Sequence, residues 1–327
     1  MGEPQPILTP LTSAAIFIVA TVDEGGEAQT RELLADLAGL SRSVGFRVPA
    51  AALTVVAGVG AQVWPRLYGT PKPEALHEFH EIRGRHHTAP ATPGDVLFHI
   101  RAFALDVCFE LAAKLAERLR GAATIVDETH GFRYFENRDL LGFVDGTENP
   151  AGAEAVEHTI DADGGSYVVV QKYVHALTDW NAVSIEEQQR AVGRTKLDDY
   201  ELPELPANSH VELTTIIDDD GAERQISRFN MPFGSVKDDV FGTYFIGYAA
   251  DPAVTERMLD RMFLGTAAAA HDRLLDFSTA TTGSLFYAPP ADFLEAAPAP
   301  QPVAAPQATP AVPNTDGSLH IGSLKEA

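Results

Sequence analysis

Twice along this chain an apolar strand pattern runs straight into an amphipathic helix pattern. The first instance is GDVLFHIRAFALDVCFELAAKLAERL at residues 94–119, and the second is DDVFGTYFIGYAADPAVTERMLDRMF at 238–263. Period-two alternation that hands over to period-3.6 spacing marks the strand–helix step of an α+β unit. Finding that step twice points to a duplicated unit.

The elements around the first copy give its plan. AAIFIVATV (14–22) has strand character, and AQTRELLADLAGLSRSV (28–44) carries Leu33, Leu34, Leu37 and Leu40 at helical spacing. Strands follow in ALTVVAGVG (52–60) and DVLFHIRA (95–102), then a helix over roughly 104–120 and a last strand in ATIVDETHGFRYF (123–135). The order β-α-β-β-α-β is the ferredoxin-like plan. In the second half SYVVVQKYVH (166–175) is a strand, and SIEEQQRAV (184–192) opens a helix with a capping box, Ser184 with Glu187 three residues on. The expected class is α+β, a duplicated ferredoxin-like fold with two antiparallel sheets and peripheral helices. Residues 1–137 form one half, 138–290 the other, 291–314 a linker and 315–327 a terminal peptide.

Charge and composition exclude several functions. Lys+Arg 24 against Asp+Glu 46 leaves the chain at −22, which argues against a nucleic-acid or anionic-membrane partner. The single cysteine, Cys108, excludes an intrachain disulfide and a Cys-rich zinc or iron–sulfur site, and its apolar surroundings suit a core residue. No C-x-x-C-H is present for covalent haem attachment. The apolar run near the N-terminus has no preceding Lys or Arg, so it reads as a strand rather than a signal peptide, and no segment is long enough to span a membrane. The expected location is cytoplasmic.

Two stretches carry chemistry. GFVDGTENP (142–150) packs the apolar pair Phe143 and Val144 against Asp145, followed by Gly146 and Asn149-Pro150. A bare turn would use Asp-Gly and Asn-Pro, but it has less use for the apolar pair, so the stretch suits a carboxylate held at a pocket wall. In NSHVELTTIIDDDGAERQISRFNMPFG (208–234), His210 sits in strand-like surroundings, and Arg228 and Asn230 are two apart, hence on one face of a strand. On the residues alone, a turn aspartate, a surface arginine and a structural histidine would read the same. His86-His87 in GRHHTAP suggests a metal, but no third ligand is evident.

GFVDGTENP, a single histidine and R-x-N-M-P-F-G (228–234) together resemble the dye-decolourising peroxidases, in their compact bacterial form, over about residues 5–290. The resemblance implies one haem b per chain in the C-terminal half, with His210 as the axial ligand of the iron. It implies Asp145, Arg228 and Asn230 as the distal catalytic residues, and Gly142, Phe143, Gly146, Thr147 and Arg228 as cofactor contacts. A single imidazole leaves the opposite iron position open for peroxide. A carboxylate can shuttle the peroxide proton, and an always-charged guanidinium can stabilise the developing charge. Hydrogen peroxide would be reduced through a ferryl porphyrin-radical state, and a small one-electron donor such as a dye or phenol oxidised. A proximal histidine usually donates to a carboxylate, and Asp272 or Asp276, which i, i+4 spacing puts on one face of a helix, is the implied partner. Some relatives take Mn²⁺ as substrate on carboxylates, for which Glu148, Asp199 and Glu223 are candidates beside the simpler reading of an acidic surface. A homo-oligomer, hexamer or dimer, is expected. The alternatives are a haem carrier or iron-releasing protein of the same fold, or a haem-free structural dimer.

The tail carries a second resemblance. APAPQPVAAPQATPAVPN (297–314) has no charged residue and reads as a semi-extended linker, and DGSLHIGSLKEA (316–327) is similar to the peptides that load cargo into encapsulin shells. Leu319, Ile321 and Leu324 are the implied contacts with the shell protein, which would place the enzyme inside an encapsulin nanocompartment.

Overall fold

The computed structural model describes residues 2–69, 71–297 and 299. Leu319, Ile321 and Leu324 lie outside these residues. The first half runs β1 (Ala14–Val22), α1 (Glu27–Ala35), α2 (Leu37–Gly45), β2 (Thr54–Gly60), β3 (Val96–Ala102), α3 (Leu105–Leu119) and β4 (Ala123–Phe132). The helix expected over 28–44 is two helices, broken at Asp36, whose ψ of 3° ends one and starts the next. The second half runs β5 (Ser166–His175), α4 (Ile185–Val192), α5 (His210–Thr214), β6 (Ser227–Arg228), β7 (Met231–Ser235), β8 (Val240–Ala249), α6 (Pro252–Leu264), β9 (Ser278–Ala280) and β10 (Ser284–Ala288). His210 therefore opens a helix instead of sitting in a strand, because buried Ser209 caps it by accepting from the Glu212 amide. The capping box at α4 forms as its sequence indicates, with Ser184 accepting from the Glu187 amide at 3.2 Å.

Both halves have the same strand order. The first is β2-β3-β1-β4, and the second is β6/β7-β8-β5-β10, with β9 also on β5. Each is second, third, first, fourth in its own chain order. The halves join where β10 pairs with β2, Phe286 opposite Gly60, so the described residues form one ten-stranded antiparallel sheet.

Alternation along the strands sorts two cores. Ile16, Ile18, Phe98 and Ile100 face the helices and pack with Leu33, Leu111 and Leu115. Phe17, Val19 and Leu97 face the other way, onto Val168, Tyr244 and Ile246 of the second half. The Phe17 and Tyr244 rings stack at 4.0 Å, and His99 Nδ1 meets the Tyr248 hydroxyl at 2.9 Å. The inner faces of the two halves thus close on each other. In α3, Val107, Cys108, Leu111, Ala112, Leu115 and Leu119 form one buried stripe. Burial pushes the Cys108 thiol up to about 12, as suits a core residue.

A final helix, α7 (Ala291–Ala296), occupies the start of the segment expected as linker. Leu294 is buried, and Phe293 stacks on Trp64 at 5.4 Å, so the fold runs beyond residue 290. Among the described residues no helix is long and apolar enough to cross a membrane.

Candidate active site

The connection from β5 to β6 is long and does not close over its strands. Between it and the sheet lies a cavity of about 440 Å³. Its lining includes His210, Asp145, Arg228 and Asn230 together with apolar Val211, Ile226, Phe245, Met258 and Leu274.

His210 is the first residue of α5, and three anchors hold it. Its Nδ1 lies 2.7 Å from Oδ2 of Asp272, a carboxylate that is 0% exposed. The other Asp272 oxygen accepts from the Leu274 amide at 2.8 Å. Arg261 donates to the Thr215 and Glu212 carbonyls and pins the end of α5. With Nδ1–H given to a buried carboxylate, Nε2 keeps its lone pair, and the ring is both oriented and made more basic. Of the two acids expected as partners, Asp272 is the one that meets His210. The pair does not share a helical face: Asp272 caps a single turn of 3-10 helix at Arg273–Asp276, and Asp276 instead meets Arg273, His87 and His271.

Arg228 ends β6 and Asn230 sits between β6 and β7, and both line the cavity, while Phe229 turns inward under the buried Arg101 guanidinium, 4.4 Å from its ring centroid. Asn230 donates to Asp145 Oδ1 at 3.3 Å and accepts from the Ile246 amide at 3.0 Å, so the sheet orients the amide that holds the acid. Among the described residues no carboxylate lies within ion-pair distance of Arg228, which leaves its charge to the cavity. A crevice of about 30 Å³, lined by Thr12, Tyr134, Asn137 and Pro232, shares Asp145, Arg228 and Asn230 with the cavity. That is room for about one water-sized molecule.

The GFVDGTENP loop is tied down on both sides. The Asn149 side chain donates to the Arg228 carbonyl at 2.7 Å and accepts from its amide at 3.0 Å, a strand-like double bond made by a side chain. Phe143 is buried edge-on against Trp180, whose indole N–H donates to the Leu141 carbonyl at 2.9 Å. Gly146 has φ +85° and lines the cavity, as does Thr147, which also donates to Asp199 at 2.6 Å. Gly142 does not line the cavity. Its φ is +93°, and a Cβ there would come within 2.6 Å of Lys196 Cε, so its freedom serves the loop's closure on that lysine.

Arg194 engages both Glu148, at 2.6 Å, and Asp199, at 2.7 Å. Glu223 lines the cavity but does not gather with them into a three-ligand cluster. Several residues escaped sequence reasoning. Asp139 lines the cavity and accepts from the Phe143 amide at 3.0 Å. His175, also in the lining, bonds Ser278 and Thr243, and burial pushes it down to about 4, so it is neutral. Asp139 stands just before the recognised loop, and that proximity was the only available signal.

A carboxylate-backed imidazole facing the same cavity as an acid, an amide and an unpaired guanidinium, on a doubled ferredoxin-like scaffold, is the build of a peroxidase. Comparison with known proteins narrows that class. Residues 4–133 match the family model "Dyp-type peroxidase, N-terminal" and residues 136–293 match "Dyp-type peroxidase, C-terminal". The chain is 56% identical over 331 residues to the dye-decolorizing peroxidase of Mycolicibacterium paratuberculosis, covering 99% of this chain and 93% of that protein. The encapsulated DyP-type peroxidase from Mycobacterium smegmatis superposes with a TM-score of 0.90 at 57% identity, over 91% of this chain and 99% of that one. DyPB from Rhodococcus jostii RHA1 gives 0.88 at 51% identity, over 90% and 98%, and variants of it are solved in complex with heme and with manganese. The chain belongs to the Dyp-type peroxidase family, and it is a peroxidase.

Proposed function

We propose that this chain is a haem b peroxidase in which Nε2 of His210 holds the iron and Asp145, Arg228 and Asn230 act on peroxide at the open face. The observation that carries the reading is the 2.7 Å contact between His210 Nδ1 and fully buried Asp272. A surface histidine has no need of a buried carboxylate; an iron-bound imidazole does. The donor set fits haem: one polarised imidazole, apolar walls and a polar trio on one cavity. Bound there, haem supplies the iron and porphyrin electrons that reduce peroxide and are then restored by one-electron donors. Asp145 takes a proton from the incoming peroxide and returns it to the departing oxygen. Asn230 orients the Asp145 carboxylate, and Arg228 donates to the negative charge that develops as the O–O bond lengthens. Each peroxide takes up two protons and two donor electrons and leaves as two waters. The small crevice beside Asp145 suits peroxide entry, being too narrow for a dye.

A haem carrier has no use for an unpaired guanidinium beside an acid, which favours the enzyme. An absorption spectrum of the purified protein, titrated with hydrogen peroxide, tests this. A ferric Soret band that peroxide converts and a dye restores is expected, and a peroxide-inert band would favour the carrier. Mn²⁺ belongs among the donors assayed, since a variant of the Rhodococcus relative is solved with manganese.

We further infer that the protein is encapsulin cargo addressed by residues 315–327 and located in a cytoplasmic shell. The Mycobacterium smegmatis relative is an encapsulated peroxidase. Eighteen Pro- and Ala-rich residues, at about 3.1 Å each when extended, would reach roughly 55 Å. Removing 315–327 should leave haem and activity intact and abolish packaging on co-expression with the shell protein; equal loading of the truncated chain would refute the address. Exposed Phe103, Phe109 and Phe135 support self-association, and sizing distinguishes dimer from hexamer.

A further inference from the structure

We propose that His87, His271 and Asp276 form a second metal site, separate from the axial histidine, for a divalent first-row transition ion. The residues come from both halves. His87 lies in the hairpin that pairs Ile82–Arg83 with Thr88–Ala89, while His271 precedes and Asp276 ends the one-turn helix that Asp272 caps. Gly84 brings the hairpin in: a Cβ there would fall 2.0 Å from the Phe263 carbonyl oxygen at the end of α6. The Asp272 amide donates to the Met262 carbonyl and fixes the other side.

The geometry is convergent. Nε2 of His87 and Nε2 of His271 each lie 2.9 Å from the same atom, Asp276 Oδ1, and the three ligand atoms are within 4.8 Å of one another. An ion about 2.0–2.1 Å from nitrogen and about 2.0–2.2 Å from oxygen needs N···O edges of about 2.9–3.4 Å. The two hydrogen bonds already have the shorter of those lengths, so both rings and the carboxylate are gathered where an ion that displaces the Nε2 protons can join them. His271 Nδ1 is buried, which leaves Nε2 as the ring's ligating atom. Arg273 occupies the other Asp276 oxygen and leaves Oδ1 to the ion. Against the upward push of burial, Arg273, His87 and His271 hold the carboxyl below the usual range, so it is ionised and available. Two imidazoles and one carboxylate suit zinc, copper and nickel, whereas an oxygen-only set would suit manganese or magnesium. The side chains are 18–27% exposed, which leaves solvent access for the ion and for water at the remaining positions.

The experiment is calorimetric titration of Zn²⁺ into the chelator-treated, haem-loaded full chain. One tight equivalent per chain is expected. His87→Ala and His271→Ala should each weaken it at least about tenfold, whereas His130→Ala, on β4, should not. An unchanged Soret band and far-ultraviolet dichroism certify that the variants fold. EPR of the Cu²⁺-loaded protein should show two coordinated imidazole nitrogens. Wild-type Zn²⁺ affinity in both triad variants, or absence of a tight equivalent in the parent, overturns the site.

Discussion

The two halves share a strand order and the strand–helix step, β3 into α3 and β8 into α6, and differ in what covers their sheets. In the first, α1, α2 and α3 lie directly on the outer sheet face, and Ile16, Ile18, Phe98 and Ile100 of β1 and β3 are fully or almost fully buried beneath them. In the second, the same face of the corresponding strands presents Tyr173 and His175 on β5 and Thr243 and Phe245 on β8, and all four line the cavity. The first β-to-β connection, residues 23–53, covers its strands; the second, 176–226, is longer and leaves room beneath it. One topology therefore gives a packed layer or a site according to whether the facing side chains are apolar and the crossover short. The crossover supplies His210, the loop before β5 supplies Asp145 and the β6–β7 stretch supplies Arg228 and Asn230, while the duplicated plan supplies rigid walls.

The strongest way to break this comparison is to strike each half once. His210→Ala should yield a folded chain with most of its haem lost, measured as Soret absorbance per protein. Phe98→Ala, in the other half, should lower stability by about 3–5 kcal/mol in denaturant titration yet leave the haem spectrum unchanged. Full haem occupancy in His210→Ala would remove the site from the second crossover. Arg228→Leu comes next. One well-placed donor contributes roughly 10²–10³ in rate, so stopped-flow loss of the ferric Soret band with peroxide should slow by at least that range, with Asp145→Asn affected less because Arg228 remains. An unchanged rate in Arg228→Leu would strip it of its role.

What was legible follows the same division. The duplicated strand–helix step is a local pattern, and local periodicity suffices to read it. The residues Asp145, His210, Arg228 and Asn230 were legible only through motifs, because their meeting point depends on pairings such as Asn149 with Arg228 across the fold. His210 misled because a five-residue helix with a Val and a Leu lacks enough turns to declare its period. Asp272 and Asp276 were separable only by the turn between them. Helical spacing put both on one face, but the 3-10 turn gives one to His210 and the other to His87 and His271. The His86-His87 pair gave no site in sequence because only His87 takes part in the proposed one, and its two partners, His271 and Asp276, come from the other half.

The smallest expected effect concerns Asp139, on the wall beside Asp145. Burial pushes its carboxyl up to about 7; the Phe143 amide, donating at 3.0 Å, opposes that, and the charge of Asp145 adds to it. Between the ordinary carboxylate range and pH 7 the folded chain therefore holds a proton that the unfolded chain has lost. Stability contributed by that proton is complete at low pH and disappears as pH rises through 7. Asp139→Asn keeps the acceptor for the Phe143 amide and removes the titration, so its melting temperature should fall less than the parent's between pH 5 and 8, by a few degrees. The same charge bears on activity. Above 7 a second carboxylate charge stands near the acid that must carry peroxide's proton, so dye oxidation should be fastest on the acid side of neutrality. In Asp139→Asn the alkaline decline should flatten a few-fold. Superimposable pH profiles for melting and for dye oxidation in parent and variant would show that Asp139 is merely structural, and that the second half's cavity wall titrates no differently from the first half's packed layer.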